Sequence, residues 1–119
     1  MSSIDRPLAG DVMLFDLADE QAKATPAESA AQRKSSARTL VKDGALRVTL
    51  VVLPPAGGIA EHHADGPISV QPLEGSVTFK TPAGTFTARQ GELLTLGAGI
   101  RHVVSSESGA TFLLTVARA

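Results

Sequence analysis

The chain of 119 residues contains no cysteine, no tryptophan and no tyrosine. Without thiols there is no disulfide, no thiolate nucleophile and no zinc–thiolate site. Four phenylalanines are all the chain has of Phe, Tyr and Trp, so its core is built from Val, Leu, Ile and Ala. So few rings also serve poorly as stacking platforms for single-stranded nucleic acid. Neither sign of charge dominates, with 11 basic against 12 acidic side chains. That balance leaves no electrostatic footprint for nucleic acid or for an anionic membrane surface. The basic residues Lys23, Arg33, Lys34 and Arg38 read as a solvated face. No apolar run approaches the roughly 20 residues of a membrane helix. No apolar run follows a basic start either, so no secretory signal is expected and the cytoplasm is the default location. Two nucleotide-binding fingerprints, G-x-G-x-x-G after a strand and G-x-x-x-x-G-K-[ST], are missing. So is the G-x-S-x-G context of a nucleophile elbow, and Ser105, Ser106 and Ser108 read as turn residues.

What is present is a succession of short β-rich segments. The length suits one domain with one modest core. Residues 1–39 are mixed and Ala-rich and read as an N-terminal arm. Within it "DVMLFDL" (11–17) is apolar enough to dock on the main body. Asp19 to Lys23 begins a helical pattern that Thr25-Pro26 interrupts. The polar stretch Ala27 to Ala37 fits a short helix or an irregular arm. From Thr39 the character changes. "ALRVTLVVL" (45–53) lies between Asp43-Gly44 and Pro54-Pro55. "ISVQPL" (68–73) and "SVTFKT" (76–81) follow, separated at Glu74-Gly75. Pro82-Ala83-Gly84 then turns the chain, so that "TFTARQ" (85–90) pairs back as a hairpin. "ELLTL" (92–96), "HVVSS" (102–106) and "ATFLLTVAR" (110–118) complete the series. Pro72 lacks the amide a central ladder needs and marks an edge or a bulge. Short strands with frequent turns and no long helix predict an all-β antiparallel barrel or sandwich over residues 40–119.

The three histidines carry the chemistry. His62 and His63 stand side by side in "EHHADGP" (61–67), and His102 follows a glycine-rich turn in "GIRHVV". Imidazole binds Zn, Fe, Ni, Cu and Mn, and a carboxylate completes such sets. Neighbours on a strand point to opposite faces, so an extended segment puts Glu61 and His63 on one face and His62 on the other. Two sets follow: Glu61, His63 and His102 as a two-His-one-carboxylate triad, or His62 with His102 and Glu61 outside. A histidine pair without metal, working as a general base beside Glu61, is a third reading.

The spacing of these features resembles the cupin family. Gly57 opens its first motif with Gly58 beside it, and "PLEG" (72–75) closes it. Gly91 opens the second, Gly97-Ala98-Gly99 stands where P-x-G belongs, and His102 follows at the matching interval. The resemblance covers residues 44–117. It implies a cupin-like antiparallel β-barrel (a jelly roll, or double-stranded β-helix) with the site in the barrel mouth. By counting, the family's paired histidines fall at Glu61 and His63, or at His62 and Ala64 if the loop slips by one residue. Ile68 occupies the glutamate position and Ser106 the closing asparagine. The implied site is therefore drawn from Glu61, His62, His63 and His102. It would hold a divalent transition metal (Fe, Zn, Mn or Ni), or it is a site that has lost its metal. Ile68, Val70, Phe79 and Leu94 would line the pocket and favour a small, partly apolar ligand. The resemblance also implies a homodimer with the N-terminal segments packed across the pair. Two functions follow from it: a metal-dependent enzyme on a small organic molecule, or a non-catalytic ligand-sensing or structural cupin without metal.

Overall fold

A computed structural model describes residues 6–24 and 34–118. Residues 27–33 of the polar stretch, with Arg33 of the basic group, lie outside the described residues. Among the described residues one helix, α1 (Leu17–Ala24), precedes eight strands: β1 (Ser36–Asp43), β2 (Leu46–Leu53), β3 (Gly57–His62), β4 (Ile68–Thr81), β5 (Gly84–Arg89), β6 (Leu94–Leu96), β7 (His102–Ser106) and β8 (Ala110–Ala117). They form one antiparallel sheet in the order β1-β2-β8-β4-β7-β3, with β5 and β6 also pairing to β4. β4 is the hinge of this arrangement. Its first half pairs with β8 and β6, and its second half pairs with β5 and β7. The sheet thereby curls back on itself as an antiparallel β-barrel with an N-terminal arm.

The expected break at Glu74-Gly75 does not end a strand. β4 runs through it with a register shift between Pro72 and Glu74, and Gly75 adopts a φ of 75°. Only glycine takes that conformation without steric cost, and a Cβ there would strike the Gly109 carbonyl. Pro72 sits at the edge of this bulge, as its missing amide requires. The hairpin over Pro82-Ala83 forms with Thr81 opposite Gly84. Two strands were hidden in the sequence. β1 begins at Ser36, inside the stretch read as arm, and β3 occupies the Gly-Gly segment after Pro54-Pro55. Ser105 and Ser106 belong to β7 rather than to a turn. Ser106 is buried and its hydroxyl donates to the Ser76 carbonyl at 2.7 Å, joining β7 to β4.

Alternation along the strands sorts the apolar residues into two cores. The inner core fills the barrel with Val51, Leu53, Ile68, Val70, Val77, Phe79, Val104 and Phe112. The second lies on the outer face of β1, β2 and β8, where Leu40 and Leu50 meet Ala24 of α1 and Phe15 and Leu17 of the arm. Asp16 caps α1 by accepting from the amides of Ala18 and Asp19. Glu20 fastens the helix to β1 through Arg38, with Nε to Oε1 at 2.6 Å. Further along, the Leu8 carbonyl accepts from the Lys42 amide and Arg6 donates to the Thr39 carbonyl, so the arm runs along β1.

Candidate functional site

The site is set by the pairing of β3 with β7. His62 lies directly opposite His102 in that ladder. Between Ile59 and His62 the register shifts: Ile59 faces Val104 and His62 faces His102, so β3 spends one more residue than β7 over the same span. Such a bulge reverses the alternation of side chains. Ile59 packs on the inner core, and strict alternation would bring Glu61 to the same face. The extra residue brings His62 there instead.

The two imidazoles are held alike. His62 Nδ1 lies 2.8 Å from the Ala60 carbonyl, and His102 Nδ1 lies 2.9 Å from the Ile100 carbonyl. A carbonyl only accepts, so each Nδ1 carries the hydrogen. In its neutral form each ring then has Nε2 as an acceptor. The rings meet edge to face with centroids 4.2 Å apart and an interplanar angle of 64°. His102 continues the stack to Phe79 at 5.5 Å, and Phe79 to Phe112 at 6.3 Å. Polarity thus falls from mouth to floor. His62 is exposed, His102 is 3% exposed, and both phenylalanines are fully buried. Burial pushes the His102 pKa below its ordinary value; the Ile100 carbonyl opposes this, and the imidazoles of His62 and His63 add to the lowering.

These side chains enclose a cavity of about 140 Å³. His62 and His102 are its histidines, and apolar residues that include Ile59, Ile68, Phe79, Phe112 and Val116 form the rest of the wall. Of the four residues expected to line a pocket, Ile68 and Phe79 do so. Val70 is sealed in the core and Leu94 packs against the core, and neither reaches the cavity. The segment "EHHADGP" is not a free loop. The Ala64 carbonyl accepts from the Gly99 amide, the Pro67 carbonyl accepts from Ala117, and Asp65 approaches Arg118 at 3.7 Å. The Gly-rich turn before His102 is therefore part of the same rim. A larger concavity of about 510 Å³ lies among Pro54, Pro55, Glu74 and Gly109, away from the histidines and without one of its own.

The triad Glu61, His63 and His102 does not assemble. Glu61 and His63 are both exposed, and neither lines the cavity. The Glu61 carboxylate turns to Arg101 at 3.9 Å, beside Lys80 in a separate surface cleft. Among the described residues no group of three or more His, Cys, Asp and Glu side chains converges as a metal site. The donor set at the mouth is two imidazoles, with isoleucine at the glutamate position. That falls short of the three or four protein ligands of zinc sites and of the two-His-one-carboxylate set of non-haem iron. The residues present do not fit such a centre.

No family model matches the sequence, and no curated protein matches it either. Solved structures do match. A conserved protein of unknown function from Streptococcus pyogenes superposes with a TM-score of 0.74 at 23% identity, over 95% of this chain and 93% of that one. A cupin-2 domain containing protein from Shewanella frigidimarina gives a TM-score of 0.70 at 16% identity, over 88% and 95%. A cupin domain from Bordetella pertussis gives 0.62 at 23% identity, over 73% and 96%.

Proposed function

We propose, from the premise that this chain has the cupin fold, that it is a binding module for a small, mostly apolar molecule held in the barrel mouth. The polar group of that molecule meets the His62–His102 pair, and no metal centre stands behind it. One observation carries this reading: a buried imidazole, His102, opens with His62 onto a cavity otherwise walled by apolar side chains. Pockets that take small molecules are built in this way, with a few polar groups fixing orientation within an apolar wall. A screen of small aromatic and aliphatic compounds by thermal shift tests it, since a ligand that binds only the folded state raises the melting temperature. Binders are expected to shift the His102 ring resonances. Full occupancy by iron, zinc, manganese or nickel in protein purified without added metal would overturn the metal-free part of the reading.

A homodimer accompanies this proposal. Val12 and Leu14 are 90% and 96% exposed on the arm, and Leu46, 44% exposed, shares a groove with Met13 of the arm. Apolar residues of this size exposed on one arm suit a surface covered by a second copy. Light scattering on the purified chain is expected to give twice the monomer mass, and the double substitution V12S/L14S to reduce it. A monomer at micromolar concentration would refute it.

A further inference from the structure

The hydrogen inventory of the mouth restricts what the cavity accepts. Both Nδ1 hydrogens are already given to main-chain carbonyls, those of Ala60 and Ile100. Nε2 of neither ring makes a hydrogen bond among the described residues. Arg6 Nε is the buried side-chain nitrogen or oxygen left without a partner among them. His102 Nε2, unbonded in a buried residue, is therefore not sealed in protein but opens onto the cavity. A ligand entering this space meets the lone pair of His102 Nε2, and neither ring has an Nδ1 hydrogen left to give. Its own polar group must bring the hydrogen.

Charge narrows the class further. The cavity wall carries no cation and no carboxylate. A carboxylate ligand would set its lone pairs against those of Nε2 and would lose its water without a counter-charge. An ammonium ligand would find acceptors but no anion, because Glu61 and Asp65 face Arg101 and Arg118 outside. A neutral hydroxyl meets neither obstacle. Size is set by the 140 Å³ of space, close to the roughly 150 Å³ of an apolar protein cavity that binds benzene.

We propose that the cavity selects a neutral, benzene-sized molecule carrying a hydroxyl, of which phenol is the type, with the hydroxyl hydrogen donated to His102 Nε2 and the ring laid against Phe79 and Phe112. This rests on the cavity being the ligand pocket, and the test separates the two ideas. Phenol, anisole, benzene and benzoate are titrated into the whole chain at pH 8, followed by chemical shifts of the histidine rings and of the Phe79 and Phe112 amides. Phenol is expected to bind about tenfold tighter than anisole or benzene, since only it supplies the donor, and benzoate is expected not to bind. In His102→Phe, which keeps a ring and removes the acceptor, the advantage of phenol over benzene is expected to vanish. Equal affinity for phenol and benzene in the unaltered chain would overturn selection by the donor while leaving the pocket intact. Tighter binding of benzoate would overturn the assignment of a neutral ligand. If none of the four perturbs these resonances at millimolar concentration, the pocket reading and the proposal fall together.

Discussion

Replacing Phe79 with alanine tests whether the cavity is a fixed feature of the barrel. Phe79 is 1% exposed, tilts against His102 at 5.5 Å and meets Phe112 edge to face at 6.3 Å. Phe→Ala in a core costs about 3–5 kcal/mol, and the cost rises with the void that persists. Here the site cannot collapse readily, because a 140 Å³ cavity already adjoins the ring and β4, which carries it, is paired on both sides by β5 and β7. The expected loss is therefore in the upper part of that range, about 4–5 kcal/mol. Domains of this kind hold about 5–15 kcal/mol, so the variant is expected to remain folded but much weakened. The control is Phe86, directly opposite Phe79 in the β4–β5 ladder but 44% exposed. Phe86→Ala loses a cross-strand contact and is expected to cost about 0.5–1 kcal/mol. Urea unfolding followed by far-UV circular dichroism measures both, with the slope m unchanged if only stability moves. Costs for the two variants within about 1 kcal/mol of each other would refute the buried wall. Benzene at millimolar concentration is expected to restore more stability to Phe79→Ala than to the parent, because the enlarged void binds it and the unfolded chain does not.

Acidification is expected to destabilise the fold through His102. Its pKa is lowered in the fold, so the unfolded chain takes up the proton first as pH falls; the stability it contributes is full above about 6.5 and is lost as pH drops through the lowered folded value. Urea midpoints from pH 7.5 to 5 are expected to fall more steeply for the parent than for His102→Phe, and parallel curves would contradict the burial of a neutral ring. Ala56 adopts a φ of 62° before the Gly57-Gly58 segment, a left-handed conformation that costs an L-residue about 1–2 kcal/mol. Ala56→Gly relieves it, less the extra entropy of glycine in the unfolded chain, for a net gain of up to about 1 kcal/mol read as a higher melting temperature. Gly66 is buried, and a Cβ on it would collide with the Ala117 carbonyl. Gly66→Ala is expected to cost about 1–3 kcal/mol in urea unfolding. It should also broaden the amide resonances of the rim at Ala64 and Gly99, and a neutral substitution would mean that the rim is not held as described.

Much of this fold was legible in the sequence, for identifiable reasons. Strands β2, β7 and β8 announced themselves by β-branched runs between turn residues, and the β4–β5 hairpin by Pro82-Ala83-Gly84. β1 and β3 did not. "SARTLVKD" is half polar because β1 has one face toward α1 and one toward solvent, and "GGIAEH" has two glycines where a strand residue is usually bulky. Gly58 is small because the Val104 carbonyl passes where its Cβ would be. That is a property of the neighbouring strand, and no local pattern reports it. β4 read as two segments because Glu74-Gly75 is a turn signature in isolation. The bulge after Pro72 and the partners on both edges keep it one strand.

The amino-acid sequence by itself determined the class of fold, the aliphatic core and the absence of thiol chemistry, and it singled out His102 as a candidate. It also showed isoleucine where a fourth ligand would stand. Counting favoured Glu61 and His63, with His62 as the rival, because a side-chain period of two offers two registers and nothing local chooses between them. Tertiary structure made the choice. One extra residue in β3, accommodated opposite β7, turns His62 inward beside His102 and leaves Glu61 to Arg101 and His63 to solvent. A bulge is a mismatch between two strands distant in sequence, so it exists only once they pair. The same pairing set the Nδ1 of both rings against main-chain carbonyls and put both imidazoles on the wall of an apolar cavity.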